Sequence, residues 1–175
     1  MNNEDACDPR DASAVTRREF MRITLSGSLV AGMTPNLSGA AIQSVAGEAY
    51  PVVDVALLDS IKEATAVAFT YPDKSSPAVL LRLRAPAPGG VGPNGTVVAY
   101  SGLCTHKGCP VAWRPERNLL ICPCHWSSFD PAKAGQMVIG QGSEALPQIA
   151  LRVSGAMVQA VGVTGLIYGR ETNIL

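Results

Sequence analysis

The chain has 175 residues, of which 47% are hydrophobic and 16% are charged, and its 14 Lys and Arg residues balance its 14 Asp and Glu residues. This length suits one ordinary domain with a leader and is too short for two full-sized domains with separate cores. The neutral balance, with no basic stripe and no interleaved aromatic residues, argues against a nucleic-acid partner.

The first 49 residues are predicted to be an export leader. A polar stretch contains Arg17-Arg18 followed by Phe20, and a mildly apolar segment, residues 23–33, comes next. This is the pattern of twin-arginine export, which delivers folded proteins to the periplasm. The alternative is a surface helix that happens to contain two arginines.

The apolar segment is about half the ~20 residues that a membrane-spanning helix needs. Extending it to Ala46 through Pro35 and Asn36 gives a poor anchor, so cleavage of the leader is favoured over retention as a membrane anchor. The sequence leaves both open. Cys7 lies in this leader, away from the other cysteines, and is expected to be an inert thiol.

Residues 50–175 are predicted to form one all-β domain, because short apolar stretches alternate with turns rich in the chain's 17 Gly and 13 Pro. A short helix is predicted over Asp59–Ala68, and the Pro/Gly-rich residues 85–95 are predicted to be a surface loop. The predicted strands are Val52–Val55, Ala78–Leu83, Thr96–Tyr100, Leu119–Ile121, Gln136–Ile139, Ile149–Val153, Met157–Val163 and Leu166–Tyr168.

Four of the five cysteines and both histidines fall within the 22 residues 104–125. They form two groups, Cys104, His106 and Cys109, then Cys122, Cys124 and His125. Each group follows a predicted strand, so both lie on loops fixed by a sheet. Thiolate ligands favour zinc or an iron–sulfur cluster. A zinc site closes with four ligands and would leave two cysteines without a role, so the set favours iron and sulfur.

The two groups read Cys-Thr-His-Lys-Gly-Cys and Cys-Pro-Cys-His-Trp-Ser, and with their surroundings, residues 78–168, they resemble the Rieske iron–sulfur family. The resemblance implies a [2Fe-2S] cluster with one iron on Cys104 and Cys122 and the other on exposed His106 and His125. Neutral imidazoles in place of thiolates make such a cluster less negative and raise its reduction potential.

The same resemblance implies a disulfide between Cys109 and Cys124, as in the high-potential members of the family. It also implies the family fold, in which three antiparallel sheets stack and the cluster-binding loops lie at one tip. Lys107 replaces the usual apolar residue at that tip, and it is either a partner-docking residue or an ordinary solvated lysine.

Trp126 and Phe129 stand where quinol-oxidising Rieske proteins usually have Gly and Tyr. The tyrosine hydroxyl would donate a hydrogen bond toward a ligand sulfur and favour the reduced cluster, and Phe129 cannot do so. Ser127 can still donate one to a bridging sulfide. We therefore expect a potential within the Rieske range of about −150 to +300 mV but below that of the tyrosine-bearing proteins. Both aromatic residues are also expected to pack over the cluster and shield it from water.

Within the family, the chain most resembles the small subunit of arsenite oxidase, notably over residues 129–137, Gly140, Gly142 and Leu146-Pro147. The resemblance implies a periplasmic subunit without substrate chemistry of its own, bound to a large molybdopterin-containing subunit as a heterodimer or higher assembly. Its electrons would pass to a soluble cytochrome c or an azurin-like copper protein. The alternatives are the Rieske subunit of a quinol-oxidising cytochrome bc-type complex, which needs the leader as an anchor, and a free-standing periplasmic carrier.

Overall fold

Ten strands and three short 3₁₀ turns make up the regular structure of residues 50–174, the part of the chain that this computed structural model describes. The strands are β1 (Val53–Leu57), β2 (Ala66–Thr70), β3 (Pro77–Arg82), β4 (Val97–Ser101), β5 (Ala112–Arg114), β6 (Leu119–Ile121), β7 (Ser128–Asp130), β8 (Gln136–Ile139), β9 (Gln148–Ser154) and β10 (Met157–Thr164). The all-β prediction is confirmed. Among these residues, no helix has the length and apolar character needed to cross a bilayer. The twin-arginine leader and Cys7 lie outside the described residues.

The strands pair into two antiparallel sheets, one with the order β1-β10-β9-β4-β3-β2 and one with the order β5-β6-β7-β8. In the larger sheet, β4 and β9 pair over only two positions, Ala99 with Ile149 and Tyr100 with Gln148. The halves β1-β10-β9 and β4-β3-β2 are therefore joined by a narrow seam. Together with the four-stranded sheet they account for the three sheets that the family resemblance implied.

Strand β4 is buried along its whole length and contributes to two hydrophobic cores. Because side chains alternate along a strand, Val97 and Ala99 enter the first core while Val98 and Tyr100 enter the second. The second core also contains Cys104 and Cys122. The loop that leaves β4 toward the metal-binding motif is thus anchored in the same core as the strands around it.

The helix predicted over Asp59–Ala68 is wrong. Only a 3₁₀ turn, Leu58–Ser60, forms there, and residues from Ala66 onward belong to β2, which pairs with β3 at five positions. Burial along β2 alternates between exposed and half-buried residues, which is the period of a strand. The two alanines favour a helix in isolation, and the pairing with β3 overrides that preference.

Strands β5 and β7 were not predicted, because Ala-Trp-Arg and Ser-Phe-Asp lack the continuous apolar run that indicates the equally short β6. The strand predicted at Leu166–Tyr168 is absent, because this segment pairs with no other strand and forms turns. The loop predicted over residues 85–95 is irregular apart from the Pro93–Gly95 turn and a bridge between Val91 and Val97.

Two side-chain hydrogen bonds fix the four-stranded sheet against the larger one. The Trp113 indole, from β5, donates to the Ala64 carbonyl at 2.9 Å, and the Tyr100 hydroxyl, from β4, donates to the Pro131 carbonyl at 2.8 Å. Burial, and to a lesser extent the nearby Asp130 charge, raises the pKa of Tyr100. Its hydroxyl therefore stays protonated and remains a donor.

An ion pair between Arg170 and Asp73 ties the C-terminal segment to the β2–β3 turn, and both side chains are largely buried. Asp73 also accepts hydrogen bonds from the Ser75 hydroxyl at 2.6 Å and the Ser75 amide at 2.8 Å. The hydrogen bonds from Ser75 and Arg170 hold the pKa of Asp73 below its ordinary value, although burial opposes them.

We expect Asp73→Asn to lower the free energy of unfolding at neutral pH by about 1–3 kcal/mol, because Arg170 and Ser75 lose a charged acceptor. The folded-state pKa lies below the unfolded value of about 3.9, so the carboxylate stabilises the fold above that pH. Its contribution is lost as the pH falls through the folded-state pKa. Urea unfolding of both proteins across this range measures the difference, which should shrink in acid. Asp59→Asn, at an exposed carboxylate, is the matched control. A difference that did not change with pH would contradict this role for the charge.

Candidate metal centre

Two loops carry the predicted ligands and share one hydrogen-bonding pattern. In the first, the Cys104 amide donates to the Cys109 carbonyl at 2.9 Å, and the Gly108 amide donates to the Cys104 carbonyl at 2.8 Å. In the second, Cys122 bonds in the same way to Ser127 at 2.8 Å and Trp126 at 3.0 Å. Each loop is therefore a closed turn that begins at a cysteine.

A disulfide between Cys109 and Cys124 joins the two loops, which is the pairing that the family resemblance implied. Cys104 and Cys122 are free thiols, each only 1% exposed. The sulfurs of Cys109, Cys122 and Cys124 lie within 4.8 Å of one another. Because two of these sulfurs are already bonded to each other, this trio is not a metal site, and the disulfide instead flanks the Cys122 thiol.

The surroundings of the Cys104 thiol disfavour an isolated thiolate. Burial is the main reason that its pKa is raised, and the adjacent Cys122 thiol adds to the effect. Hydrogen bonds from the His106 backbone and the Ser127 side chain act in the opposite direction. A bound metal would supply positive charge that offsets the cost of deprotonating the Cys104 thiol in this pocket.

The two histidines lie side by side next to these thiols. Their ring centroids are 4.7 Å apart, with the planes inclined at 77°. His125 is exposed and His106 is half-buried, but the Nδ1 atom of His106 is buried and has no hydrogen-bond partner in the described part of the chain. An unsatisfied buried nitrogen costs roughly 1–3 kcal/mol, and a bond to iron would satisfy it. Two thiols and two imidazoles on facing loops fit a Rieske-type [2Fe-2S] cluster.

A third loop, residues 140–146, fastens both ligand loops and was not recognised from the sequence. The Thr105 hydroxyl donates to the Glu144 carbonyl at 2.9 Å, and the Gln141 amide donates to the Ser127 hydroxyl at 3.0 Å. A Cβ added at Gly140 would lie 2.3 Å from the Ser127 Cα, so only glycine fits there. The pair Gly140 and Gly142 was the available signal, since paired glycines mark close backbone approaches.

The two aromatic residues that were expected to shield the cluster differ in how deeply they are buried. Phe129 is fully buried in the same core as Cys104 and Cys122. Trp126 is 70% exposed, so the protein itself covers little of the indole, and the packing of both residues over the cluster stays a prediction. The Trp126 φ of +61° matches the +69° of Gly108, which occupies the equivalent position of the first loop. This left-handed backbone turns the indole outward. Lys107 is exposed and Ser127 is buried.

The comparisons with known proteins identify relatives over nearly the whole chain. Residues 51–150 match the model of the Rieske [2Fe-2S] domain. The chain is 34% identical to iodate reductase subunit IdrB of Denitromonas iodatirespirans, over 99% of this chain and 94% of that protein. It is 33% identical to iodate reductase subunit IdrB of Pseudomonas sp. (strain SCT), over 93% of this chain and 86% of that protein.

Among solved structures, the fold is similar to that of the soluble domain of Rieske protein II (soxF) from Sulfolobus acidocaldarius. The TM-score is 0.62, with 70% of this chain and 82% of that chain covered. The sequence identity of this pair is 23%, so the likeness concerns the fold.

We expect the double variant Cys109→Ser/Cys124→Ser to keep its iron but to unfold at a lower temperature. The disulfide closes a loop with a sequence separation of 15, and a bond closing a loop of about that length stabilises by roughly 3 kcal/mol. Iron content and thermal unfolding measure the two effects. Cys122→Ser is the matched contrast and should lose the iron. Loss of iron from the double variant, with iron retained in Cys122→Ser, would reverse the assignment of ligands.

Proposed function

The chain belongs to the Rieske [2Fe-2S] protein family, and on that premise we propose that it is the electron-transfer subunit of a periplasmic arsenite oxidase. The observation that supports the coarser part of the proposal, an electron-transfer subunit of an oxidoreductase, is the similarity to iodate reductase subunit IdrB over 99% of this chain. Within that class, the segment after the second motif, with Gly140 and Gly142 at its end, supports arsenite oxidase. The large partner would be a molybdopterin-containing subunit that performs the substrate chemistry.

Iodate reductase is the second candidate, because two relatives that match over most of their length bear that name. Arsenite oxidation and iodate reduction run electrons through such a subunit in opposite directions. A chain that only relays electrons needs no substrate pocket. Sequence identity of about one third therefore supports the type of subunit more strongly than it supports the substrate of the large partner.

We assign Cys104, Cys122, His106 and His125 as the ligands of the [2Fe-2S] cluster. When bound, the cluster supplies one reversible one-electron couple. The chain's own residues hold the ligand loops in place and exclude water from the site. The disulfide and the 140–146 loop hold the ligand loops together, and buried Phe129 keeps water from the thiol side. The exposed imidazole of His125 gives a partner's redox centre a short route to the site.

The exposed residues beside the histidines are proposed to contact the partner. Trp126 holds a left-handed backbone, which costs a residue other than glycine about 1 kcal/mol, and its indole gains little burial in return. Strain of this kind is characteristic of functional positions, and tryptophan is common at the centres of interfaces. Lys107 lies on the neighbouring loop and adds a positive charge.

The proposed periplasmic localisation rests on the sequence alone. The proposed twin-arginine leader, residues 1–49, would export the folded residues 50–175 to the periplasm, where a soluble cytochrome c or an azurin-like protein would accept electrons. If the leader is retained as a membrane anchor and quinol is the electron donor, the protein would instead be assigned to a bc-type complex.

The test is to purify the native protein from periplasm and assay the product for a large subunit, for molybdenum and for changes in the Rieske EPR signal. Arsenite should reduce the cluster in the purified complex if the first proposal holds. Iodate should instead oxidise the pre-reduced cluster if the chain belongs to an iodate reductase. Reduction by quinol in a membrane fraction, with neither response, would overturn both.

The same purification reports on the docking residues. Trp126→Gly should keep its iron, because glycine suits the left-handed backbone, and should retain less of the large subunit. Unchanged retention would remove Trp126 from the proposed interface.

We expect Phe129→Tyr to raise the reduction potential. A hydroxyl on this buried ring would lie in the core that contains both thiols and could donate to a ligand sulfur. A hydrogen bond worth about 1 kcal/mol to the reduced form corresponds to roughly 40 mV for one electron. Redox titration followed by EPR measures the change, with Phe129→Leu as the apolar control. A potential that stayed the same or fell would contradict this origin of tuning.

A further inference from the structure

The segment after β10, residues 165–174, is fixed in place although it forms no strand. The Asn173 side chain accepts a hydrogen bond from the Ile167 amide at 2.9 Å and donates one to the Gly165 carbonyl at 2.6 Å. Ile167 and Asn173 are both buried. One asparagine side chain therefore supplies the hydrogen bonds that a neighbouring strand would otherwise provide, and the segment is closed on itself.

A second attachment carries the segment across the larger sheet. It leaves from β10, and Arg170 pairs with Asp73 in the β2–β3 turn, while β9 and β4 lie between β10 and β3 in the sheet. Arg170 also lies 3.3 Å from the Ser75 hydroxyl oxygen. The segment is thus attached to one half of the sheet through β10 and to the other half through Arg170. Tyr168 lies between these two points in the sequence.

Tyr168 meets the first ligand loop at Gly108. A Cβ added at Gly108 would lie 2.6 Å from Cδ1 and 2.7 Å from Cε1 of the tyrosine, so the ring occupies the space that any side chain would need. Gly108 closes the turn on Cys104 through its amide, and it lies two residues from His106. The equivalent position of the second loop, Trp126, has no such cover and is exposed.

Beside this contact the loop faces open space. A cavity of about 380 Å³ lies between the segment and the first loop, and it is lined by Thr105, His106, Ser143, Glu144 and residues 166–170. Because protein does not fill the space next to His106, the Tyr168 ring on Gly108 is the contact through which this segment limits movement of the loop toward it.

We propose that residues 165–174 form a brace for the first ligand loop, and that Tyr168 is the positioning residue through which the brace holds the turn carrying His106. The inference rests on the ligand role proposed for His106 and adds to it the device that fixes this histidine. Tyr168 touches no proposed ligand directly. It acts through the backbone of Gly108.

The test compares the full-length, iron-loaded chain with Tyr168→Ala, Tyr168→Phe and Leu166→Ala. Leu166 is a similarly exposed apolar residue of the same segment and is the matched control. Hydrogen exchange should become about tenfold faster in residues 104–109 of Tyr168→Ala, with β4 and β6 unchanged, because only the local opening is made easier. Tyr168→Ala should also shift the Rieske EPR g values and release iron to a chelator faster. Tyr168→Phe keeps the ring and should show wild-type exchange rates, g values and iron release. Leu166→Ala should show the same wild-type values.

Unchanged exchange in residues 104–109 of Tyr168→Ala would overturn the brace, and so would faster exchange throughout the domain, which indicates a merely structural residue. Failure of Tyr168→Phe to restore the wild-type rate would overturn it as well. If Tyr168→Ala does not fold, Arg170→Gln detaches the brace at Asp73 and must accelerate the same residues. Retention of the cluster by His106→Ala would refute the ligand assignment, and the exchange result would still decide whether Tyr168 holds the loop.

Discussion

Two free thiols buried in a hydrophobic core are the constraint on which this structure depends. Cys104 and Cys122 belong to the same core as Leu81, Val98 and Phe129, so the metal-binding loops and the domain interior are packed as one unit. Burial makes an isolated thiolate costly, whereas a thiolate bound to iron has its charge compensated. The core therefore favours the metal-bound form of these cysteines. Because β4 is buried on both faces, any disturbance of this core also reaches the larger sheet.

The two ligand loops are variations of one turn. In both, the cysteine amide and carbonyl are bonded to residues five and four positions later, and the fourth residue adopts a left-handed backbone. The loops differ in what lies outside that fourth residue. At Gly108 the Tyr168 ring leaves no room for a side chain, and at Trp126 the surface is open. One loop is therefore covered by the segment that follows β10, and the other leaves an aromatic side chain exposed to solvent.

The structure brings the predicted ligand residues together on two loops, and the sequence indicates this placement because its signal is local: residue types, short spacings and two preceding strands. The helix predicted over Asp59–Ala68 is wrong because pairing with β3, which the segment's own residues do not show, determines its structure. The outward direction of Trp126 depends on one φ angle and leaves no trace in the residue pattern. The contact between Gly108 and Tyr168 joins residues 60 positions apart. The Leu-Ile-Tyr run predicts a strand, because Ile and Tyr favour strands. No local pattern shows that Asn173 replaces its pairing partner.

The direction of electron flow depends on the potential of this site relative to those of its partners. A lower potential makes the reduced site a stronger donor, which favours delivery of electrons to a large subunit that reduces iodate. A higher potential favours uptake from a large subunit that oxidises arsenite. We expect Phe129, which lacks the hydroxyl of the tyrosine-bearing proteins, to lower the potential and so to favour donation. In an arsenite oxidase this shift is acceptable only while the donor couple lies lower still. A site that contains Phe129 is therefore compatible with electron flow in either direction, provided that the donor couple lies below its potential and the acceptor couple lies above it.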